Sequence, residues 1–113
     1  MNIGALQEAV GETVELLRAL ASEKRLRILC LLSQKERSVG ELCALLALAQ
    51  ANASQQLALL RRSGLVMARR DGQAIYYSLA SEEGRLVLEA LCAVYGRRRS
   101  WSDARRRRDV LRD

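Results

Sequence analysis

The stretch LRRSGLVMARRDGQAIYYSL, residues 60–79, changes from a helical to a strand pattern in its middle. Its first residues continue a helical spacing of leucines that ends at Gly64, the residue type best suited to a left-handed helix end. LVMAR and AIYYSL then favour β-branched and aromatic residues around RDGQ, whose Asp-Gly pair suits a tight hairpin. The stretch therefore predicts a helix that leads into a β-hairpin surrounded by arginines.

Three helical patterns precede this one. The first runs from Ala5 to Ala21, with apolar residues three and four positions apart. Ser22 is the predicted N-cap of a second, largely buried helix through KRLRILCLL, which should stop near residues 33–36. Ser38 is the predicted cap of a short third helix through SVGELCALLAL.

The fourth predicted helix, QANASQQLALLRRSG, combines a buried stripe with an amide-rich outer face. Ala53, Leu57 and Leu60 are the expected buried positions. The side chains expected on the exposed face are Gln50, Asn52, Gln55 and Gln56. After the hairpin, Leu88, Leu91 and Tyr95 predict a fifth helix from Ser81 to about Tyr95. Leu6, Val10, Leu17 and Leu88 fit either the core or a dimer interface.

Composition narrows the class of protein. A chain of 113 residues without proline or phenylalanine is long enough for one domain and favours helix. Of the net charge of +6, most comes from eight arginines against three aspartates between residues 96 and 113. We therefore expect one folded domain over residues 1–96. Residues 97–113 should form a basic, flexible tail, which is either simply solvated or adds non-specific DNA attraction.

The chain lacks a signal-peptide pattern and an apolar run long enough to span a bilayer, so we expect a cytoplasmic protein and no membrane partner. Three cysteines are an odd number, and the expected compartment is reducing, so they predict free thiols rather than a disulfide framework. No histidine, no paired acid and base and no phosphate-cradling glycine loop is present. The sequence thus predicts no enzyme, no cofactor and no metal site.

The third and fourth predicted helices are short and joined by a tight connection, and the fourth is polar on its outer face. A basic hairpin follows them. This order indicates a helix-turn-helix with a wing. Such a helix fits the major groove, where amides can pair with base edges, most naturally adenine. The predicted base-reading residues are Gln50, Asn52, Ser54 and Gln55. The predicted phosphate ligands are Arg61, Arg62, Arg69, Arg70 and Gln73. Two alternatives remain: a helical pair that only packs a core, and, for Arg61 and Arg62, a solvated helix end.

Residues 15–79, and more loosely 5–95, resemble the ArsR/SmtB-type winged-helix repressors of bacteria. The resemblance is carried by LLRALASEKRLRILCLL, VGEL, QQLALLRRSGLV and RRDGQAIYYSL in that order. It implies a homodimer through the first and fifth predicted helices and operator DNA read by the fourth. It also implies an inducer that weakens DNA binding.

The sequence departs from the metal-sensing members of that family. Their Cys-Val-Cys is replaced by Ser38, Val39 and Gly40, and only Cys43 matches a further family cysteine. Soft or borderline metals need several Cys or His ligands, so a standard metal site is not expected. The family's serine before the recognition glutamine is Ala49, and its histidine in the middle of that helix is Gln56. The family's base preference therefore does not transfer.

A closer resemblance is to the subgroup that senses reactive sulfur or oxidants through one cysteine in each of the second and fifth helices. Cys30 matches the first position, whereas the second falls at Gly96 and this chain has Cys92 one turn earlier. A shift of four residues keeps a thiol on roughly the same helix face. The resemblance implies a thiol switch between Cys30 and Cys92, the alternative being that Cys30 is inert core.

The sequence thus predicts a homodimeric repressor that binds double-stranded operator DNA and is released by cysteine oxidation or persulfide formation. Residues 1–96 are expected to form its winged helix-turn-helix DNA-binding and dimerisation domain. One alternative is an ArsR-family regulator with another ligand or no inducer. Another, from a different class, is a winged-helix module that binds protein or RNA.

Overall fold

The structure, a computed structural model, describes residues 1–96 as six helices and three short strands. The helices are α1 Ile3–Glu8, α2 Val10–Leu20, α3 Glu23–Gln34, α4 Val39–Leu46, α5 Gln50–Arg62 and α6, residues 82–96. The strands are β1 Arg37–Ser38, β2 Val66–Asp71 and β3 Ala74–Leu79. The tail predicted for residues 97–113 lies outside the described residues. The predicted mainly helical fold with a helix-turn-helix and a wing is confirmed.

The prediction of one continuous first helix is wrong, because the helix is interrupted at Ala9. The backbone of Ala9 lies at φ −101° and ψ 19°, and its N–H is shared between the carbonyls of Ala5 and Leu6. Beyond the break, the Thr13 hydroxyl donates to the Ala9 carbonyl at 2.7 Å, a bond that tends to bend helices. Val10 and Gly11 are weak helix formers as well. Two helices, α1 and α2, result.

The sheet contains a third strand, β1, in addition to the two strands of the predicted hairpin. β2 and β3 pair in antiparallel register, Val66 with Leu79 through Asp71 with Ala74, and β1 adds to the other edge of β3. The sheet order is therefore β1-β3-β2. β1 has only two residues, both polar, so no alternation in the sequence revealed it. It anchors the wing to the segment between α3 and α4.

Local capping fixes where the helices begin and end. Ser22 and Ser38 are N-caps, as predicted: the Ser22 hydroxyl accepts from the Arg25 N–H, and Ser38 forms a capping box with Glu41. Gly64 adopts φ 75° after α5, which confirms the predicted left-handed helix end. Ala47 adopts the same unusual region, at φ 54°, in the turn between α4 and α5.

A single apolar cluster joins the helices to the base of the wing. Its fully buried centre comprises Ile28, Leu29, Leu42, Leu57 and Leu60. Leu88 of α6 packs into it, whereas Leu6, Val10 and Leu17 remain exposed in the protomer. The sequence left open whether these four residues belong to the core or to a dimer interface. The structure answers this for Leu88 alone, which belongs to the core.

Candidate nucleic-acid interface and thiol pair

The inner face of α5 packs against the apolar core. Ala53, Leu57 and Leu60 are fully buried, as predicted, and pack the helix onto the core below α4. The connection from α4 is only three residues long because Ala47 turns the chain in the left-handed region and Leu48 N–H bonds back to the Cys43 carbonyl at 3.1 Å. At its N-terminus, Ala49 provides no side-chain cap, so the first N–H groups of α5 lack a side-chain partner there.

The outer face of α5 carries the predicted base-reading residues. Gln50, Ser54 and Gln55 are exposed, and their side chains make no hydrogen bond with any other residue of the described part. Asn52 and Gln56 are half-buried, contrary to the expectation that both are exposed. The cause is a contact that the sequence analysis missed: Gln56 donates to Asn52 at 3.4 Å and accepts from Arg25 at 3.2 Å.

The predicted phosphate ligands fall into two groups. Arg61 and Arg62 lie exposed at the C-terminal end of α5, and Arg70 and Gln73 lie exposed on the wing. Within residues 1–96, the side chains of these four residues have no hydrogen-bond or salt-bridge partner. They are therefore available to an external anion.

Arg69 differs from this group. It precedes Arg70 in the same strand, so the two side chains project from opposite faces of the sheet. The Arg69 guanidinium contacts the carboxylates of Glu36 and Asp71, and it stacks over the Tyr76 ring. A DNA phosphate would have to compete with these partners for Arg69.

Cys30 on α3 and Cys92 on α6 lie close enough to interact electrostatically. Both are exposed free thiols. The alternative that Cys30 is an inert core residue is therefore wrong. Although exposed, Cys30 is partly desolvated by the atoms around it, and this raises its pKa; the negative charge of the Cys92 thiolate raises the pKa further. Cys92 is thus the charged neighbour that acts on Cys30 within one protomer.

The remaining thiol and the acidic residues do not add a metal site. Cys43, on α4, is half-buried. Over residues 1–96, no three histidine, cysteine, aspartate or glutamate side chains cluster in a way that could hold a metal ion. In the same part of the chain, no helix has the length and apolar character needed to cross a membrane.

A tight helix pair with a polar second helix, followed by a hairpin, defines the class of winged helix-turn-helix proteins, and comparison with known proteins identifies the family. Residues 22–68 match the family described as bacterial regulatory protein, arsR family. The chain is 44% identical over 95 residues to the transcriptional activator HlyU of Vibrio cholerae, covering 84% of this chain and 88% of HlyU. The chain therefore belongs to the arsR family.

Solved structures agree with this assignment. Reduced HlyU from Vibrio cholerae superposes with a TM-score of 0.76 at 44% identity, over 80% of this chain and 96% of that one. The transcriptional repressor BigR from Xylella fastidiosa gives a TM-score of 0.80 at 34% identity, over 84% and 97%. A homodimeric winged helix-turn-helix DNA-binding domain from Mycobacterium bovis gives 0.71 at 33% identity, over 84% and 85%. The family members are regulators rather than enzymes, as the sequence predicted.

Proposed function

We propose that the protein is a homodimeric transcriptional regulator that binds operator DNA through α5 and the wing, and that the thiols of Cys30 and Cys92 control this binding. The observation that carries the DNA-binding part is the set of unpartnered polar side chains along α5. Gln50, Ser54 and Gln55 face solvent on a helix whose inner face is fully buried. The first turns of such a helix contact base edges in the major groove.

Three arginines and one glutamine could bind the phosphate backbone beside that helix. Arg61 and Arg62 end α5, while Arg70 and Gln73 lie near the tip of the wing. Contacts to phosphates fix register and orientation without reading sequence. The basic segment 97–113 adds non-specific attraction that salt should weaken.

An exposed apolar surface supports the homodimer. On α2, Val10 and Leu17 are about half exposed, and on α6 Leu91 and Val94 are exposed as well. A soluble protein rarely leaves so many large apolar side chains in water unless a partner covers them. The similar Mycobacterium bovis domain is homodimeric. A second copy through α2 and α6 would place two α5 helices about one turn of DNA, ~34–36 Å, apart.

The thiol pair supplies a switch between two states of this dimer. One cysteine thiolate attacks the inner sulfur of a persulfide, which releases the terminal sulfur as hydrosulfide and leaves a mixed disulfide. The second cysteine then attacks this mixed disulfide, forms the protein disulfide and releases the thiol that came from the persulfide. Two thiols and one persulfide thus become one disulfide, one thiol and one hydrogen sulfide. A bond between α3 and α6 would change the angle between the two DNA-reading heads, and a small rotation suffices to lose affinity.

The effect on transcription depends on what else binds the same DNA. BigR is named as a repressor, and HlyU as an activator. Both outcomes use the same DNA contacts, since a protein that displaces a repressor activates. We propose direct repression, relieved when the thiols are oxidised.

The test is selection of bound fragments from host genomic DNA at near-physiological salt. Reduced protein is compared with protein treated with a persulfide donor, and each treatment is repeated with Cys30→Ser and Cys92→Ser. Cys43→Ser is the matched control, because it removes the third thiol from a helix outside the pair. We expect reduced protein to enrich a short inverted repeat and treated protein to lose it. Both switch variants should keep the repeat after treatment.

Other results identify which part is wrong. Enrichment of the same repeat by treated wild-type protein would leave DNA binding intact and refute the thiol switch. In that case another ligand or no inducer would apply. Failure of reduced wild-type protein to enrich any duplex would refute the regulator itself and favour a protein- or RNA-binding module.

A further inference from the structure

Arg25, the third residue of α3, bonds to two other helices. Its Nε donates to the Ala19 carbonyl at 2.9 Å, and one Nη donates to the Arg18 carbonyl at 3.1 Å. These carbonyls lie in the last turn of α2, where the helix dipole is negative, and the Arg18 carbonyl also accepts from the Ala21 N–H at 3.3 Å. One half of the guanidinium thus caps α2.

The other half of Arg25 reaches the DNA-reading helix. Its second Nη donates to Gln56 Oε1 at 3.2 Å, and Gln56 Nε2 donates to Asn52 Oδ1 at 3.4 Å. The three residues form a chain from the end of α2 to the first turn of α5. We call this chain of Arg25, Gln56 and Asn52 the relay.

The direction of every bond in the relay is set by Arg25. A guanidinium only donates, so Gln56 must turn its carbonyl oxygen towards Arg25 and its NH₂ group away. That NH₂ group faces Asn52, whose oxygen must then accept. The Asn52 NH₂ group remains free to donate. Without Arg25, either amide could flip by half a turn with little loss of hydrogen bonding.

We propose that Arg25 is a positioning residue of the DNA interface, acting through Gln56 to make Asn52 present its NH₂ edge to the DNA. This proposal rests on the proposed DNA-binding function. A presented NH₂ group selects an acceptor in the major groove, such as O6 or N7 of guanine or O4 of thymine. It disfavours a base that offers only a donor at that place, such as the N4 amino group of cytosine. Asn52 thereby contributes preference at one base pair of each half-site.

The test is enrichment from a randomised duplex pool by full-length reduced protein, a selection in which the protein itself reveals its operator sequence. Four proteins are compared: wild type, Arg25→Lys, Gln56→Leu and Arg27→Lys. Lysine keeps the charge near the carbonyls of α2 but cannot reach three acceptors as a planar fork. Gln56→Leu breaks the relay and leaves the cap on α2 intact, so it tests the proposal even if Arg25→Lys destabilises the fold.

Arg27→Lys is the matched control. Arg27 lies on the same helix, but within residues 1–96 its guanidinium pairs only with Glu23 of α3, at 2.7 Å. We expect wild type and Arg27→Lys to enrich one common motif. Arg25→Lys and Gln56→Leu should enrich the same motif with about tenfold less preference at a single position of each half-site. Their affinity for a scrambled duplex should be unchanged.

A purely structural role for Arg25 would weaken binding to all sequences alike and leave the motif intact. Full wild-type preference at every position in both relay variants would therefore overturn the relay while the proposed function stands. A wild-type protein that enriches no motif would overturn both. The two failures are distinguishable within the same experiment.

Discussion

Glu36 and Arg69 form a two-point salt bridge across the sheet, with Arg69 Nη2 2.6 Å from Glu36 Oε1 and Nε 3.1 Å from Oε2. Arg69 lies on the edge strand β2, and Glu36 immediately precedes the opposite edge strand β1. The guanidinium passes over Tyr76 of the central strand, 4.9 Å from its ring centroid, and Tyr76 is paired with Arg69 in the register. The contact fastens the wing to the body of the protein.

The first prediction concerns the titration of Glu36. The hydrogen bond from Arg69 lowers the pKa of this carboxyl group below its ordinary value. A lowered pKa means that the pair stabilises the fold fully above the ordinary pKa of glutamate and less as pH falls through the lowered value. We expect an NMR titration of the Glu36 carboxyl to show this low midpoint, and Arg69→Gln to return it to the ordinary range. An unchanged midpoint in Arg69→Gln would show that the bridge does not form in solution.

The second prediction uses the same pair to test whether Arg69 can reach DNA. Glu36→Gln removes the nearer of the two competing carboxylates and leaves only Asp71, at 3.8 Å, beside the guanidinium, which should then be able to bind a phosphate. Each new phosphate contact steepens the slope of log K against log salt by about 0.9. Glu15→Gln is the control, since Glu15 pairs with Arg18 on α2, away from the wing. A slope in Glu36→Gln equal to that of the control would mean that Arg69 is a structural clamp only.

The third prediction tests the dimer interface. Leu17 on α2 is 52% exposed in the protomer, although it is a large apolar side chain. A carboxylate at this place would be buried without a partner in the dimer, at a cost of several kcal/mol. Leu17→Glu should therefore shift sedimentation from dimer to monomer at micromolar concentration. Leu45→Glu, at the similarly exposed Leu45 of α4, should remain dimeric. A Leu17→Glu protein that remains dimeric would place the interface elsewhere.

Much of the fold follows from short-range signals in the sequence. Ser22, Ser38 and Gly64 mark helix ends because their side chain, or lack of one, satisfies backbone groups locally. The buried stripe of α5 follows from periodicity alone. The break at Ala9 was missed because the apolar spacing continues across it without a proline, and Gly11 alone does not locate a break.

The relay and the bridge were missed for a different reason. Charged side chains such as Arg25 and Glu36 are solvated by default, and their partners, Gln56 and Arg69, lie more than thirty positions away in the chain. No local pattern encodes such a contact. The predicted helix through KRLRILCLL includes Arg25, but only the packing of α2, α3 and α5 brings its guanidinium to Gln56.

The fourth prediction concerns the two residues with left-handed backbone conformation that follow α4 and α5. The Cβ of Ala47 causes steric strain at φ 54°, and a glycine there would relieve this strain. Gly64 adopts φ 75° without such strain because glycine has no Cβ. Ala47→Gly should raise the free energy of unfolding by up to about 1 kcal/mol, and Gly64→Ala should lower it by about 1 kcal/mol or more. Denaturant unfolding at fixed protein concentration measures both. Changes of the same sign would contradict the backbone explanation.

The fifth prediction concerns the reactivity of Cys30. Desolvation, and secondarily the charge of Cys92, raise the pKa of Cys30, so its thiolate fraction at neutral pH is below that of an ordinary cysteine. The rate of its alkylation by iodoacetamide, followed by mass spectrometry of the Cys30 peptide, should therefore rise with pH through a midpoint above the ordinary one. Cys92→Ser should lower this midpoint only partly, because desolvation remains. Cys43→Ser should leave it where it is. An identical midpoint in wild type and Cys92→Ser would show that the two thiols do not interact in solution, and this would count against the proposed disulfide.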